Sequence, residues 1–158
     1  MDYEPPLRFT TDACHVRTEL VRERPLEELP ILGNSRATAD FVCRVMIPAN
    51  ADKEYFVAIY LDGKHRAMAV TTISVGCLTS SLVHPREVFR PAIALCASAL
   101  ILAHNHPSGD PTPSPEDVEI TARLREVGKL TGIRLLDHVI VTELGGALAS
   151  IFEGGVVG

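Results

Sequence analysis

The sequence has no tryptophan, and aromatic residues make up only 5% of its 158 residues. A core must therefore be built mainly from aliphatic side chains, which the 46% content of hydrophobic residues supplies for a single independent domain. Basic residues are also scarce, because 15 Lys and Arg stand against 20 Asp and Glu and give a formal net charge of -5. This balance argues against a strong general affinity for nucleic-acid phosphates.

Cysteines are few, and no CxxC spacing joins Cys14, Cys43, Cys77 and Cys96. We therefore expect reduced, mostly buried thiols in a cytoplasmic protein. Long apolar runs are missing too, since none approaches the roughly 18 residues of a membrane span. No cationic start is followed by an apolar segment, so we expect neither a cleaved secretion signal nor a membrane anchor.

The apolar residues that are present recur with the periods of helices and strands. The predicted helices cover residues 35–47, 84–99 with Pro91 inside, and 114 to about 130, where Gly132 ends the last one. The predicted strands are a hairpin over 54–76 that turns at Asp62-Gly63, a buried strand over 99–104, closing strands over 133–142 and 147–152, and an edge strand over 16–24. This order predicts an α/β sandwich around a mixed sheet.

The segment HNHPSGDPTPSPED, residues 104–117, contains the densest group of chemically active side chains. Residues i and i+2 of a strand face the same side, so His104 and His106 can point at one place as the strand ends. Asp117 falls in the first turn of the next helix, and the proline-rich loop between must fold back to bring it near the imidazoles. Three such ligands leave a fourth tetrahedral position open, which is the pattern of a catalytic zinc site.

A simpler interpretation is that both histidines are satisfied by backbone groups and have no ligand role. The additional presence of Asp117 and Ser114 at this spacing favours the metal site.

The segment also fits the pattern H-x-H-x7-S-x2-D, and it resembles the metal signature of the JAMM (JAB/MPN) metalloenzymes. A longer stretch, from SSLVHPREVF to LLDHVIV, resembles the RadC branch of that family, and the likeness covers about residues 54–152. The resemblance implies a JAB/MPN (cytidine-deaminase-like) α/β sandwich, with a mixed sheet flanked by helices. It also implies two parts, an N-terminal extension with one helix over residues 1–50 and a RadC-like JAB/MPN domain over residues 51–158.

The resemblance further implies roles for individual residues. His104, His106 and Asp117 would bind one zinc ion per chain, Ser114 would hydrogen-bond the developing oxyanion or a bound water, and Glu54 would act as general acid and base. Alternatives stay open: Glu54 could be a solvated carboxylate with Glu87 or Glu116 in its place, and Ser114 could serve only as a helix cap.

Two further histidines, His84 and His138, are interpreted as scaffold. Asp137 is a candidate for orienting a ligand imidazole.

The function implied is a zinc-dependent hydrolase, a metallopeptidase or isopeptidase acting on a peptide or protein. A metal-dependent nuclease or DNA-repair-associated factor is the first alternative. The acidic charge argues against it, as does the lack in residues 1–50 of the helix-hairpin-helix segment that RadC-like proteins usually carry. A small cluster of Arg17, Arg22 and Arg24 argues for it. The second alternative is a non-catalytic MPN binding module, which has no need of an intact ligand set.

Overall fold

The computed structural model describes residues 30–48, 51–76, 83–143 and 146–152, which form three helices and five strands. In chain order the elements are α1 Ser35–Val45, β1 Glu54–Leu61, β2 Ala67–Gly76, α2 Pro85–Ala94, β3 Ala99–Asn105, α3 Pro115–Thr131, β4 Arg134–Val141 and β5 Leu148–Ser150. The strands make one mixed sheet in the order β2-β1-β3-β4-β5, in which only β3 and β4 are parallel. The predicted α/β fold with a mixed sheet flanked by helices is confirmed.

The β3-α3-β4 unit at the centre of the sheet positions the site. All seven residues of β3 are buried, as expected for a strand with neighbours on both sides and helices on both faces. The chain then loops outward and enters α3, which crosses the sheet and returns the chain to the parallel strand β4. The helix ends at Gly132, whose φ of 72° is a left-handed conformation that favours glycine. The crossover brings the first turn of α3 to the carboxyl end of β3.

The sheet has an apolar core on each face, because successive residues of a buried strand point to opposite sides. One core packs α2 and α3 against the sheet through residues such as Phe56, Leu100, Leu102 and Leu124. The other packs α1 against the sheet through residues such as Phe41, Val42, Ile59, Ile101 and Val139. The helix within residues 1–50 thus packs directly on the sheet, while the boundary near residue 50 stays a prediction.

Three details differ from the expectations. Helix α2 ends at Ala94 rather than near residue 99, because Cys96 adopts a left-handed conformation with φ of 52° and its N–H bonds back to Ile93. That turn leaves Cys96 exposed, so its predicted burial is wrong, and Cys43 is only half-buried. Helix α1 begins as predicted at Ser35, with the Asn34 side chain accepting a hydrogen bond from the N–H of Ala37 as its cap, but it ends at Val45 rather than at residue 47.

The edge strand predicted over residues 16–24, together with Cys14 and Cys77, lies outside the described residues. Among the described helices, none is both long enough and apolar enough to cross a membrane.

Candidate metal centre

Two imidazoles converge at the end of β3. His104 is fully buried within the strand, and His106 follows directly after its last residue. The backbone N–H of His106 still bonds to the carbonyl of Val141 at 2.8 Å, so strand pairing with β4 continues past the end of β3. The alternation of side chains is therefore kept, and the two Nε2 atoms lie 3.0 Å apart. The predicted i, i+2 geometry is present.

The carboxylate of Asp117 completes the group from the first turn of α3. Its Oδ1 lies 3.2 Å from Nε2 of His104, and its Oδ2 lies 3.5 Å from Nε2 of His106. One ligand atom from each of the three side chains can be chosen so that all lie within 4.8 Å of one another. Asp117 is only 2% exposed, so these groups face each other largely out of water.

The N-terminal cap of α3 holds Asp117 in this orientation. Ser114 donates to Oδ2 of Asp117 twice, from its backbone N–H at 2.8 Å and from its hydroxyl at 2.7 Å. In return, the hydroxyl oxygen of Ser114 accepts the backbone N–H of Asp117, which completes a capping box. Burial alone would raise the pKa of Asp117, but its contacts with His104 and His106 and the hydrogen bond from the Ser114 N–H outweigh burial and hold that pKa well below its usual range.

The loop between the histidines and α3 orients His106. Its Nδ1 lies 2.7 Å from the carbonyl oxygen of Asp110, which can only accept, so Nδ1 carries a proton. In the neutral ring, Nε2 is therefore unprotonated, and its lone pair points towards His104 and Asp117. The hydrogen bond to the Asp117 carboxylate is the main reason that the pKa of His106 is raised. Burial opposes that rise, and the Asp110 carbonyl and the charge of Glu54 add to it.

A fourth side chain, the buried His138 of β4, contacts the group from behind. Its Nε2 lies 2.8 Å from Nδ1 of His104, and its Nδ1 lies 2.6 Å from the hydroxyl of Thr121 on α3. Complete burial, together with the charge of His104, lowers the pKa of His138 well below its usual value. The interpretation of His138 as mere scaffold missed this contact. The available signal was a histidine in a predicted strand that could lie beside the one bearing His104.

Asp137, the residue proposed to orient a ligand imidazole, faces the other side of the sheet. Its carboxylate accepts from the hydroxyls of Ser35 at 3.0 Å and Ser150 at 2.6 Å, and from the backbone N–H of His138 at 2.7 Å. The suggestion that Asp137 orients a ligand imidazole is wrong, and that position beside His104 belongs to His138.

Glu54 begins β1 on the same face as the cluster. Phe56 pairs with His104 in the antiparallel β1–β3 ladder, so Glu54, two residues before Phe56, lies on the same face as His104, and its charge acts on His106. Asn105 holds the start of β1 in place: it accepts from the N–H of Tyr55 at 2.7 Å and donates to the carbonyl of Lys53 at 3.0 Å. These are the two residues that flank Glu54, and no sequence pattern predicts these contacts of Asn105.

The two rival carboxylates have other surroundings. Glu87 forms exposed ion pairs with Arg86 at 3.2 Å and Arg90 at 3.1 Å on α2. Glu116 is exposed on α3. The register of the sheet therefore favours Glu54 over both as the carboxylate of the site.

His104, His106 and Asp117 could together hold a metal ion. Two imidazole nitrogens and a carboxylate oxygen are donors that zinc accepts, and three protein ligands leave one position open. The fold and the site thus define an α/β domain with a candidate three-ligand metal centre at the carboxyl end of a central strand.

Comparison with known proteins identifies the family. The family model described as RadC-like JAB domain matches residues 32–156, and the chain belongs to this family. A UPF0758 protein of Geobacter sulfurreducens is 54% identical over 105 residues, which are 66% of this chain and 45% of the relative. A UPF0758 protein of Pelobacter propionicus is 51% identical over 134 residues, or 85% of this chain and 57% of the relative. The chain thus spans about half the length of the curated relatives it matches.

Proposed function

We propose that this domain is a zinc-dependent hydrolase of the JAMM type that cleaves an amide bond in a peptide or protein, as a metallopeptidase or isopeptidase. The observation that carries the proposal is the convergence of His104, His106 and Asp117 on one point, with Glu54 on the same face of the sheet and its charge acting on His106. JAB domains include hydrolases, and this ligand set is the kind that catalytic zinc sites use.

Zinc held by these three residues would act as a Lewis acid that polarises a carbonyl and acidifies water at neutral pH. The protein's own contribution is orientation. The capping box directs the Asp117 carboxylate, and the Asp110 carbonyl directs His106, so that their donor atoms face the same point before any ion arrives.

Glu54 would move the proton. As water attacks the carbonyl carbon, its proton passes to the Glu54 carboxylate while the new C–O bond forms. When the C–N bond breaks, Glu54 returns this proton to the departing nitrogen and is an anion again. Asn105 would keep Glu54 at the correct distance, because it fixes the backbone on both sides of that residue.

Ser114 is proposed to stabilise the oxyanion. Its hydroxyl has a single proton, which in this structure is donated to Oδ2 of Asp117. Ser114 would therefore have to turn its hydroxyl from Asp117 to the oxyanion during the reaction. Its backbone N–H would continue to hold Asp117 meanwhile.

The experiment that tests the proposal begins with metal analysis of protein purified without chelators, where we expect about one zinc per chain. The zinc-loaded protein is then assayed in parallel on a mixed peptide library, an isopeptide-linked substrate and single-stranded DNA. Amide cleavage that disappears on chelation and returns with zinc supports the proposal. Metal-dependent cleavage of DNA alone would replace it with the nuclease alternative, and protein that binds no transition metal would exclude the catalytic site.

A further inference from the structure

We propose that His138 is a positioning residue: it holds His104 in the tautomer whose Nε2 lone pair faces the ligand cluster, and Thr121 holds His138 in turn. This inference rests on the metal site of the proposed function but not on the reaction carried out there. It follows from where the protons of a buried chain of hydrogen bonds must lie.

Thr121 lies at the outer end of this chain of hydrogen bonds. Its hydroxyl bonds to the backbone carbonyl oxygen of Asp117 one helical turn earlier. A carbonyl oxygen can only accept, so the single hydroxyl proton of Thr121 is used in that bond. Towards His138, 2.6 Å away, the threonine oxygen is therefore an acceptor, and Nδ1 of His138 carries the proton.

The two imidazoles follow inward from Thr121 in the same chain. His138 is completely buried, and its ring nitrogens contact Thr121 and His104 rather than a carboxylate, so the neutral ring is its stable form. With the proton on Nδ1, Nε2 of His138 is unprotonated and can only accept a hydrogen bond. Nδ1 of His104, 2.8 Å away, must therefore donate to it. Nε2 of His104 is then left as a lone pair facing Asp117 and His106.

Packing keeps both rings in these positions. The ring of Phe56 stacks on His104 with centroids 5.9 Å apart and makes a T-shaped contact with His138 with centroids 5.3 Å apart. The hydrogen bonds connect two proposed ligands through the protein interior: His104 to His138, His138 to Thr121, and Thr121 to the backbone of Asp117. Strand β3 and helix α3 are thus tied together at the point where each contributes a ligand.

Without an acceptor at Nδ1, His104 can move its proton to Nε2, where it blocks the donor atom. Loss of an outer hydrogen-bond partner of this kind costs about 10- to 100-fold in metal affinity.

The experiment compares His138→Leu with His138→Gln. Leucine removes the acceptor, whereas the glutamine amide oxygen can take the place of Nε2 and its NH2 can donate to Thr121. Zinc affinity is measured by competition with a chromogenic chelator, and the tautomer of His104 is read by long-range 1H–15N NMR of the zinc-free protein. We expect His138→Leu to weaken zinc binding about 10- to 100-fold, with Nε2 of His104 protonated. We expect His138→Gln to recover most of the affinity.

A second pair of variants separates positioning from stability. Thr121→Val removes the hydroxyl on which His138 depends. Thr38→Val is the matched control, because Thr38 is also buried and donates to a carbonyl four residues earlier, but it lies on α1 at the opposite face. Both variants lose the same kind of helix bond, and only Thr121→Val is expected to weaken zinc binding.

The inference is overturned if Nδ1 of His104 carries no proton in the unchanged protein, or if His138→Leu and Thr121→Val bind zinc as tightly as the unchanged protein. If His138→Leu fails to fold, the zinc affinity of Thr121→Val and the tautomer of His104 in the unchanged protein still test the inference. An unchanged protein that binds no zinc would refute the proposed function instead, and the tautomer of His104 would still support or overturn this inference.

Discussion

Two neighbouring residues of β4, Asp137 and His138, each lie at the centre of a polar cluster, and the clusters are on opposite faces of one sheet. The carboxylate of Asp137 receives three donors, from Ser35, Ser150 and the backbone of His138. All three donors bond to the same carboxylate. The cluster joins the start of α1 to β4 and β5. Its role is structural.

The His138 cluster ends differently. Its chain of hydrogen bonds leads to His104, whose Nε2 meets the Nε2 of His106 and the carboxylate of Asp117, and these three side chains could hold a metal ion. The two clusters teach that burial of polar groups does not by itself indicate function. A cluster whose donors and acceptors match stabilises the fold, whereas three acceptors facing one point need a cation or protons between them.

The largest expected effect comes from removing His104, the proposed metal ligand to which the His138 cluster leads. His104→Ala removes one of three proposed ligands, so we expect zinc content to fall from about one per chain to none, with loss of hydrolysis. Metal analysis after gel filtration measures this, and His84→Ala is the control because His84 is exposed at the start of α2. Zinc retained at full occupancy by His104→Ala would contradict the ligand assignment.

Next in size is the change of Glu54 to glutamine, which separates metal binding from proton transfer. Glu54 is proposed as a base and not as a ligand, so Glu54→Gln should keep its zinc and lose about 10²- to 10⁴-fold in hydrolysis rate. Glu87→Gln is the matched control, since Glu87 pairs with arginines on α2 and should leave the rate unchanged. If the two variants exchanged these results, the general base would be Glu87.

The opposite cluster is tested with Asp137→Ala. This change leaves three donors without their acceptor, so we expect the free energy of unfolding to fall by about 2 to 4 kcal/mol. Zinc content of the folded protein should stay at the wild-type level, because the Asp137 cluster is on the face away from the ligands. Chemical denaturation and metal analysis of the same sample measure both, with the exposed Asp52→Ala as control. A selective loss of zinc without loss of stability would mean that Asp137 also serves the metal site.

The smallest expected effects compare the caps of the two helices. Ser114→Ala and Asn34→Ala each remove a side chain that accepts an N–H in the first turn, at a cost of about 1 kcal/mol in stability. Only Ser114→Ala should also slow hydrolysis while keeping zinc, because Ser114 alone lies beside the ligands. Equal rates for both variants, measured with zinc-loaded protein, would leave Ser114 with a capping role only.

Much of the site could be predicted because its signals are local. The same-face placement of His104 and His106 depends only on strand geometry, and Ser114-Pro115 marks a helix start that puts Asp117 in the first turn. The exposure of Cys96 could not be predicted in this way, because it depends on where α2 stops and how the chain turns back into β3.

The sequence by itself determined the order of the described helices and strands, and it placed His104 and His106 on one face of a strand and Asp117 in the first turn of the next helix, since these follow from spacing within single elements. The β3-α3-β4 crossover then brought Asp117 to the two imidazoles. Only the tertiary structure decided which residue of β4 supports the ligands. Between β3 and β4 the register slips by one residue, so that Leu100 pairs with Leu135 but Ile101 pairs with Asp137. Without the slip, Asp137 would lie opposite Leu102 and face the site. With it, His138 takes that place, because a shift of one residue turns every following side chain of a strand to the other face.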